Sequence, residues 1–213
     1  MSVGGTMASE MKLGPVEFSA VREITNIGLG HATKALSDMT GRAFTMSVPD
    51  IESLTLEEVP EMLGGSEYQA AGIYMPIGGD FTGHIAFLMS WPCAQALWRM
   101  VRGSGPQSSL EVSEMDASAM LEIGNVLIGS FLNALSDSAG LSMVATPPYL
   151  AVEMSSAILD SIVCEASIGE HVALALRTQI HDTEGAMEGF FVFIPSVGGL
   201  KHVFATLGIQ EAA

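Results

Sequence analysis

The chain has 213 residues, 48% of them hydrophobic, and a formal net charge of −16 at pH 7. This length fits one large domain or two halves that share a core. Proteins that bind phosphate backbones need basic patches, so the acidic balance disfavours direct contact with nucleic acid or an anionic membrane surface. The charge is uneven, with six basic and eleven acidic residues in 1–106 against two and thirteen in 107–213. Simple solubility is the alternative explanation of this charge.

The N-terminus and the two cysteines indicate a cytoplasmic protein. Residues 1–15 lack a basic region followed by an apolar one, so no secretory signal is expected. Cys93 and Cys164 are isolated and have no metal-ligand spacing, which favours reduced thiols. The longest uncharged stretch of the second quarter, residues 81–98, contains polar residues and a proline, so no membrane span is expected.

The first half is predicted to follow the order α-β-α-β-β-α. Apolar residues at helical spacing predict a helix over 16–40, which Gly41 ends. Alternating apolar residues predict a strand over 43–49. A short helix over 56–63 is predicted next, and it stops at Gly64-Gly65. It is followed by a hairpin of strands 68–77 and 81–90 around Gly78-Gly79-Asp80, and by a closing helix over 93–101.

The second half is predicted to repeat this order. It begins with a helix over 114–139, which ends before Gly140, and a strand over 141–145, which leads into Pro147-Pro148. A helix over 154–165, two strands over 172–180 and 189–194, and a last helix over 198–207 follow. The linker at 103–109 is too short to separate independent domains. We therefore expect one α/β (α+β) domain over 1–213. Its two repeats, 14–103 and 110–208, are related by a pseudo-two-fold axis and share one sheet flanked by helices.

One sparse motif supports this duplication. Its four residues recur at a constant offset of 99 residues, as Ser19, Glu23, Asn26 and Pro49 and again as Ser118, Glu122, Asn125 and Pro148. Between 19–49 and 118–148 the copies agree at 12 of 31 positions, where chance would give about two. The polar residues have therefore been retained while core positions changed.

The spacing of the motif indicates what these residues do. Ser, Glu and Asn at i, i+4 and i+7 lie along one face of a helix, so a carboxylate and an amide stand side by side. The carboxylate can accept a hydrogen bond from a cation, and the amide can hold a water in a fixed orientation. The prolines are predicted to end strands and to stiffen the chain beside that face. An ordinary solvated helix face is the alternative interpretation.

Other kinds of site are disfavoured. No Ser/His/Asp arrangement and no cysteine beside a base is visible, and the histidines form no metal-binding pair: His31, His84, His171, His181 and His202. Gly28-Leu29-Gly30 lies inside the first helix rather than after a strand, which disfavours a phosphate loop. We expect Gly28, Gly30 and Gly129 to permit close helix packing instead.

At both copies of the motif the chain resembles the CheC/CheX/FliY phosphatases of bacterial and archaeal chemotaxis. Their signature is Asp or Ser, x3, Glu, x2, Asn, x22, Pro, and both copies match it. Two sites without an additional domain resemble the CheC type most. The chain departs from the family at Thr25, where Gly or Ala is common and where the second copy has Gly124. On that ground Asn125 is expected to matter more than Asn26.

The resemblance implies a phosphatase that acts on the aspartyl phosphate of a CheY-like response regulator. Asn26 or Asn125 would orient the attacking water, while Glu23 or Glu122 would dock on a lysine of the regulator. The regulator would supply the Mg²⁺, so no cofactor or metal is expected on this chain. A CheD-like deamidase is a further partner that the resemblance implies. The alternatives are a non-catalytic module that sequesters CheD or a regulator, and a scaffold whose sites have decayed.

Overall fold

A computed structural model describes residues 14–166, 172–183, 185–196, 199–207 and 209. The first half contains, in order, α1 Pro15–Thr40, β1 Thr45–Thr55, a 3₁₀ turn Leu56–Glu58, α2 Val59–Met62, β2 Gln69–Gly79, β3 Gly83–Ser90 and α3 Trp91–Arg102. After a second 3₁₀ turn, Ser109–Glu111, the second half contains α4 Glu114–Ala139, β4 Met143–Ala145, β5 Tyr149–Met154, α5 Ser155–Ala166, β6 Val172–His181, β7 Ala186–Pro195 and α6 Gly199–Thr206. The predicted helices and hairpins are confirmed, with small shifts of their ends.

The described strands form one antiparallel sheet to which both halves contribute. The order is β1-β6-β7-β3-β2-β4. Strand β5 also pairs with β2, along a different part of that strand from β4. The hairpin of each half joins the other along β3 and β7 at the centre of the sheet. The first strand of each half is exchanged: β1 pairs with β6, whereas β4 and β5 pair with β2. This arrangement confirms the predicted pseudo-two-fold architecture with a shared sheet.

Helices cover both faces of the sheet. One face packs against α1, α3, α4 and α6 in a large apolar core that includes Trp98, Phe87 and Phe191. The other face packs against the first 3₁₀ turn, α2 and α5, through residues such as Leu56 and Ile158. The two motif helices therefore lie in the same layer, on the more heavily covered face.

The motif helices bury equivalent residues. The buried side of α1 consists of Ile24, Thr25, Gly28, Leu29, Ala32 and Leu36, and the residues 99 positions later in α4 are also buried: Ile123, Gly124, Leu127, Ile128, Phe131 and Leu135. Both helices end at a left-handed glycine, Gly41 with φ 70° and Gly140 with φ 64°. The amide of each glycine donates to the carbonyl of the repeated serine, Ser37 or Ser136.

The packing role expected for three glycines is confirmed at one of them. A Cβ atom at Gly28 would lie 2.9 Å from Cα of Phe131, so α1 and α4 meet there backbone to backbone. At Gly30 and Gly129 the expectation is wrong. Apart from the chain neighbours and the nearby backbone of the same helix, no atom of the described residues lies within 4 Å of a Cβ placed at either position, because both face away from the helix contact.

Pro49 does not end a strand as predicted, whereas the strand predicted before Pro147-Pro148 does end there, at Ala145. Pro49 lies inside β1, where the pairing with β6 shifts register between Ser47 and Asp50. A proline is tolerated at a bulge on an edge strand, because no hydrogen bond between strands requires the N–H that proline lacks. In the second half Pro147-Pro148 interrupts the equivalent strand and divides it into β4 and β5. Strand β5 was not predicted.

Helix α4 is long and apolar enough to cross a membrane by length and composition, judged on its most apolar 18-residue window. Half of that window is buried inside the fold, where α4 packs against α1 and the sheet. A core helix of a globular protein meets the same criteria.

Candidate functional site

The structure places each predicted Glu/Asn pair on the exposed side of its helix. Glu23 and Asn26 are exposed on α1, and Glu122 and Asn125 are exposed on α4. Each pair flanks two buried residues that anchor the helix, so the carboxylate and amide point outward by helical geometry. The predicted single face is therefore present in both halves.

The supporting motif residues lie on the same helices or beside them. Ser19 and Ser118 are exposed, one turn before the glutamates. Pro49 is exposed in β1, which lies against α1. Pro148 is half-buried just before β5, which lies against α4. The structure thus brings each proline segment next to the helix of its own motif copy.

The difference between Thr25 and Gly124 comes from the packing beneath each helix. Thr25 is fully buried, and its hydroxyl donates to the carbonyl of Val21 at 2.6 Å. Gly124 faces the sheet, and a Cβ there would lie 2.3 Å from Cγ2 of Ile73. Both positions point away from the exposed face that carries Asn26 or Asn125. Thr25 therefore gives no structural reason for a weaker first site.

The sites differ in the charge around them, which the motif does not reveal. On α1 the exposed cation Arg22 is next to Glu23 in sequence, and the exposed Lys34 follows Asn26 by eight residues, about two helical turns. The equivalent residues of α4, Leu121 and Asn133, are uncharged. The signal was present in the sequence as the uneven distribution of basic residues between the halves.

Each motif copy presents one exposed carboxylate and one exposed amide. Among the described residues no group of three or more His, Cys, Asp or Glu side chains could hold a metal ion. Nδ1 of His84 lies 2.6 Å from the hydroxyl oxygen of Tyr74, and the His84 ring stacks on the Tyr74 ring. Cys93 and Cys164 are free thiols, and His171 lies outside the described residues. An exposed carboxylate and an exposed amide can bind a cation and orient a water.

Comparison with known proteins identifies the family. The model of the CheC-like family matches residues 16–53, which contain the first motif copy. The CheY-P phosphatase CheC of Bacillus subtilis is 30% identical over 197 residues, which are 90% of this chain and 94% of that protein. The chain belongs to the CheC-like family. This match over 90% of the chain extends the relationship to both repeats.

Solved structures of low sequence identity share the CheC-like fold. Thermotoga maritima FliY superposes with a TM-score of 0.72 at 19% identity, covering 93% of this chain and 98% of that one. The middle domain of Helicobacter pylori FliM gives a TM-score of 0.65 at 8% identity, covering 91% and 99%. At these identities the likeness concerns the fold.

Proposed function

We propose that this chain is a phosphatase of chemotaxis signalling that hydrolyses the aspartyl phosphate of a CheY-like response regulator. Membership of the same family as the CheY-P phosphatase CheC of Bacillus subtilis supports the reaction. The observation that carries the proposal is the exposure of an intact Glu/Asn pair at equivalent positions of α1 and α4. The proposal includes a cytoplasmic location, in line with the reduced thiols expected for Cys93 and Cys164.

In the proposed mechanism the regulator carries the reacting groups and this chain completes the site. The regulator supplies the phosphorylated aspartate, a Mg²⁺ ion that offsets negative charge, and a lysine. The side-chain amide of Asn26 or Asn125 enters that site and holds a water in line with the phosphorus. The water oxygen bonds to phosphorus as the bond to the aspartate oxygen breaks. The aspartate is released as a carboxylate. The water oxygen becomes part of the inorganic phosphate, and one proton of the water is released.

Glu23 and Glu122 have the role of docking residues. A carboxylate one turn before the asparagine can pair with the regulator's lysine and so fix the register of the two proteins. Holding water, phosphate and amide in one geometry is the main contribution that a protein can make to phosphoryl transfer. Ser19 and Ser118, one turn earlier, extend the same polar face. This chain itself needs no bound metal in the scheme.

A second candidate function is a binding module that captures a regulator or a CheD-like deamidase without turnover. The observation in its favour is the FliM-like fold. Helicobacter pylori FliM was solved in complex with FliG, and it matches this chain with a TM-score of 0.62 at 10% identity. A shared fold does not distinguish binding from catalysis. The Glu/Asn pairs favour catalysis, because simple capture would not require an identical spacing in both halves.

Phosphate decay on a purified CheY-like regulator separates the two functions. A phosphatase accelerates the decay at a concentration far below that of the regulator, whereas a capturing protein must be equimolar to have an effect. Turnover by catalytic amounts of the chain is the expected result. A protein that binds the regulator at equimolar ratio without accelerating decay would establish the binding module instead.

A further inference from the structure

Two glycines of the motif helices, the exposed Gly30 and the half-buried Gly129, have no explanation within the fold. Gly30 of α1 and Gly129 of α4 are 99 residues apart and belong to the identities between the two copies. Apart from its chain neighbours and the nearby backbone of its own helix, no atom of the described residues comes within 4 Å of a Cβ placed at either position. Space for packing therefore does not account for the absence of a side chain.

Glycine is unfavourable at these positions. Both lie in the interior of 26-residue helices, where glycine is the worst helix former after proline. The other glycines inside these helices have an evident reason, because a Cβ would meet backbone of Phe131 at Gly28 and the side chain of Ile73 at Gly124. Gly30 and Gly129 thus weaken their helices without improving any described internal contact.

Both glycines lie on the proposed catalytic face, one helical turn beyond the asparagine. Gly30 follows Asn26, Glu23 and Ser19 by four, seven and eleven residues, which is about one, two and three helical turns. Gly129 has the same relation to Asn125, Glu122 and Ser118. Side chains on a helix lean toward its N-terminus and cover the preceding turn. Any side chain at residue 30 or 129 would therefore lean over the asparagine.

We propose that Gly30 and Gly129 are positioning residues that keep a notch open beside Asn26 and Asn125. Through this notch a loop of the response regulator comes into contact with the helix backbone, and the asparagine amide reaches the aspartyl phosphate. The inference rests on the proposed phosphatase function and adds a steric requirement to it. The partner is a protein that presents its phosphate in a shallow pocket, because only a close approach lets a short amide side chain reach inside.

The test is a graded series at both sites, Gly30→Ala with Gly129→Ala and then Gly30→Gln with Gly129→Gln. Alanine and glutamine are better helix formers than glycine, so the melting temperature should rise in both double variants. The kcat/KM for phosphate decay should fall by about 10- to 100-fold with alanine, since displacements near 1 Å have effects of that size. The fall should be larger with glutamine.

A control and a binding measurement separate positioning from folding. Ser138→Ala changes an exposed residue on the opposite side of α4, also toward a better helix former, and should leave kcat/KM unchanged. Affinity for the regulator loaded with beryllofluoride should weaken in the order Gly, Ala, Gln. This readout does not depend on turnover.

The outcomes distinguish the two proposals. Glycine variants that are more stable than the wild-type protein and retain its kcat/KM and its affinity would overturn the notch. If the wild-type protein itself fails to accelerate phosphate decay, the proposed phosphatase function is wrong. In that case a graded loss of affinity would still support the notch as a docking feature, and unchanged affinity would overturn it as well.

Discussion

Gly28 of α1 lies directly against the backbone of Phe131 in α4, so the two helices that carry the Glu/Asn pairs touch at this point. A Cβ at Gly28 would lie 2.9 Å from Cα of Phe131 and 3.2 Å from the carbonyl oxygen of Ser130. Backbone atoms cannot turn aside as a flexible side chain can. The position of each exposed pair therefore depends on a contact on the buried side of the same helices.

Gly28→Ala should destabilise the protein by about 1–3 kcal/mol, because α1 must move away from α4 to admit the methyl group. Gly30→Ala is the matched control. It makes the same chemical change two residues later on the same helix, into open space, and should stabilise by about 1 kcal/mol. Chemical denaturation of both variants measures the difference. Equal stability of the two would contradict the helix contact described here.

Asn26→Ala and Asn125→Ala test the proposed catalytic groups. If both sites act, each single change should remove part of the phosphatase activity, and the double change should reduce it about 10²–10³-fold, or 2–4 kcal/mol, by analogy with oxyanion donors. The asparagines are exposed, and alanine is the better helix former, so folding should be retained. Glu122→Ala should also raise KM through lost docking.

Phosphate decay on a purified regulator measures these effects, with circular dichroism as the check on folding. The outcome that defeats the mechanism is a folded double variant with wild-type activity. The expectation that Asn125 matters more was based on Thr25. Because Thr25 is buried away from the face of Asn26, the ranking of the sites loses this basis.

The charges near the two sites predict different responses to salt. With Asn125→Ala only the α1 site is active, and its cations Arg22 and Lys34 should attract an anionic phosphorylated pocket. The kcat/KM of this variant should fall as the ionic strength rises toward 0.1 M, where the Debye length is about 10 Å. With Asn26→Ala the α4 site should show a weaker or opposite dependence.

Lys34→Asn, which installs the residue found at the same position of α4, is the control for this comparison. Combined with Asn125→Ala, it should reduce the salt dependence of the α1 site while leaving activity at high salt nearly unchanged. Identical salt dependence of the two sites would show that these cations do not guide the regulator.

Asp116 predicts an acid-sensitive contribution to stability. Ser113 and Asp116 form a capping box at the start of α4, and Arg102 bonds to the Asp116 carboxylate. The Ser113 hydroxyl first, and then the Ser113 amide and Arg102, hold the pKa of Asp116 below its usual value against the opposing effect of burial. A carboxylate with a lowered pKa stabilises above its unfolded pKa, about 3.9, and loses that contribution as the pH falls through its folded pKa.

Asp116→Ala should therefore lower stability near pH 7 by about 1 kcal/mol, the usual effect of losing a cap. As the pH falls below the unfolded pKa, about 3.9, the variant and the wild-type protein should converge, because the wild-type carboxyl becomes protonated as the pH passes through its lowered folded pKa. Melting temperatures measured from pH 7 to pH 3 give the comparison. A difference that persists unchanged in acid would mean that the ionised carboxylate is not the stabilising species.

The sequence predicted the helices better than the strands. The bounds of α4 were predicted to the residue, because a 26-residue apolar periodicity between Ser113 and Gly140 leaves little ambiguity. The end of strand β1 was predicted six residues too early, at 49 instead of 55, because a proline normally ends a strand but Pro49 occupies a bulge. Strand β5 was missed because Pro147-Pro148 separates it from β4. Its pairing with β2, from Gln69↔Met154 onward, is a long-range contact that no local pattern contains.

Helical spacing was enough to predict which motif residues share a face, but not what lies opposite the other residues of these helices. The spacing of Glu and Asn placed both on one face, and the structure shows that face exposed in both copies. Whether a glycine on these helices packs or stays open depends on what lies opposite, which the sequence does not reveal. For that reason Gly28 and Gly30 were given the same role, although only Gly28 meets the neighbouring helix.

The exchange of β1 with β4 and β5 makes the chain equivalent to a dimer whose subunits have been fused. Neither half can complete its part of the sheet alone, since the strand that covers the edge of each hairpin belongs to the other half. The link between α3 and α4 therefore acts mainly by raising the effective concentration of one half around the other. If the chain is divided between Gly103 and Ser108 and the two fragments are expressed together, they should assemble noncovalently. Each fragment supplies the edge strand that the hairpin of the other fragment needs.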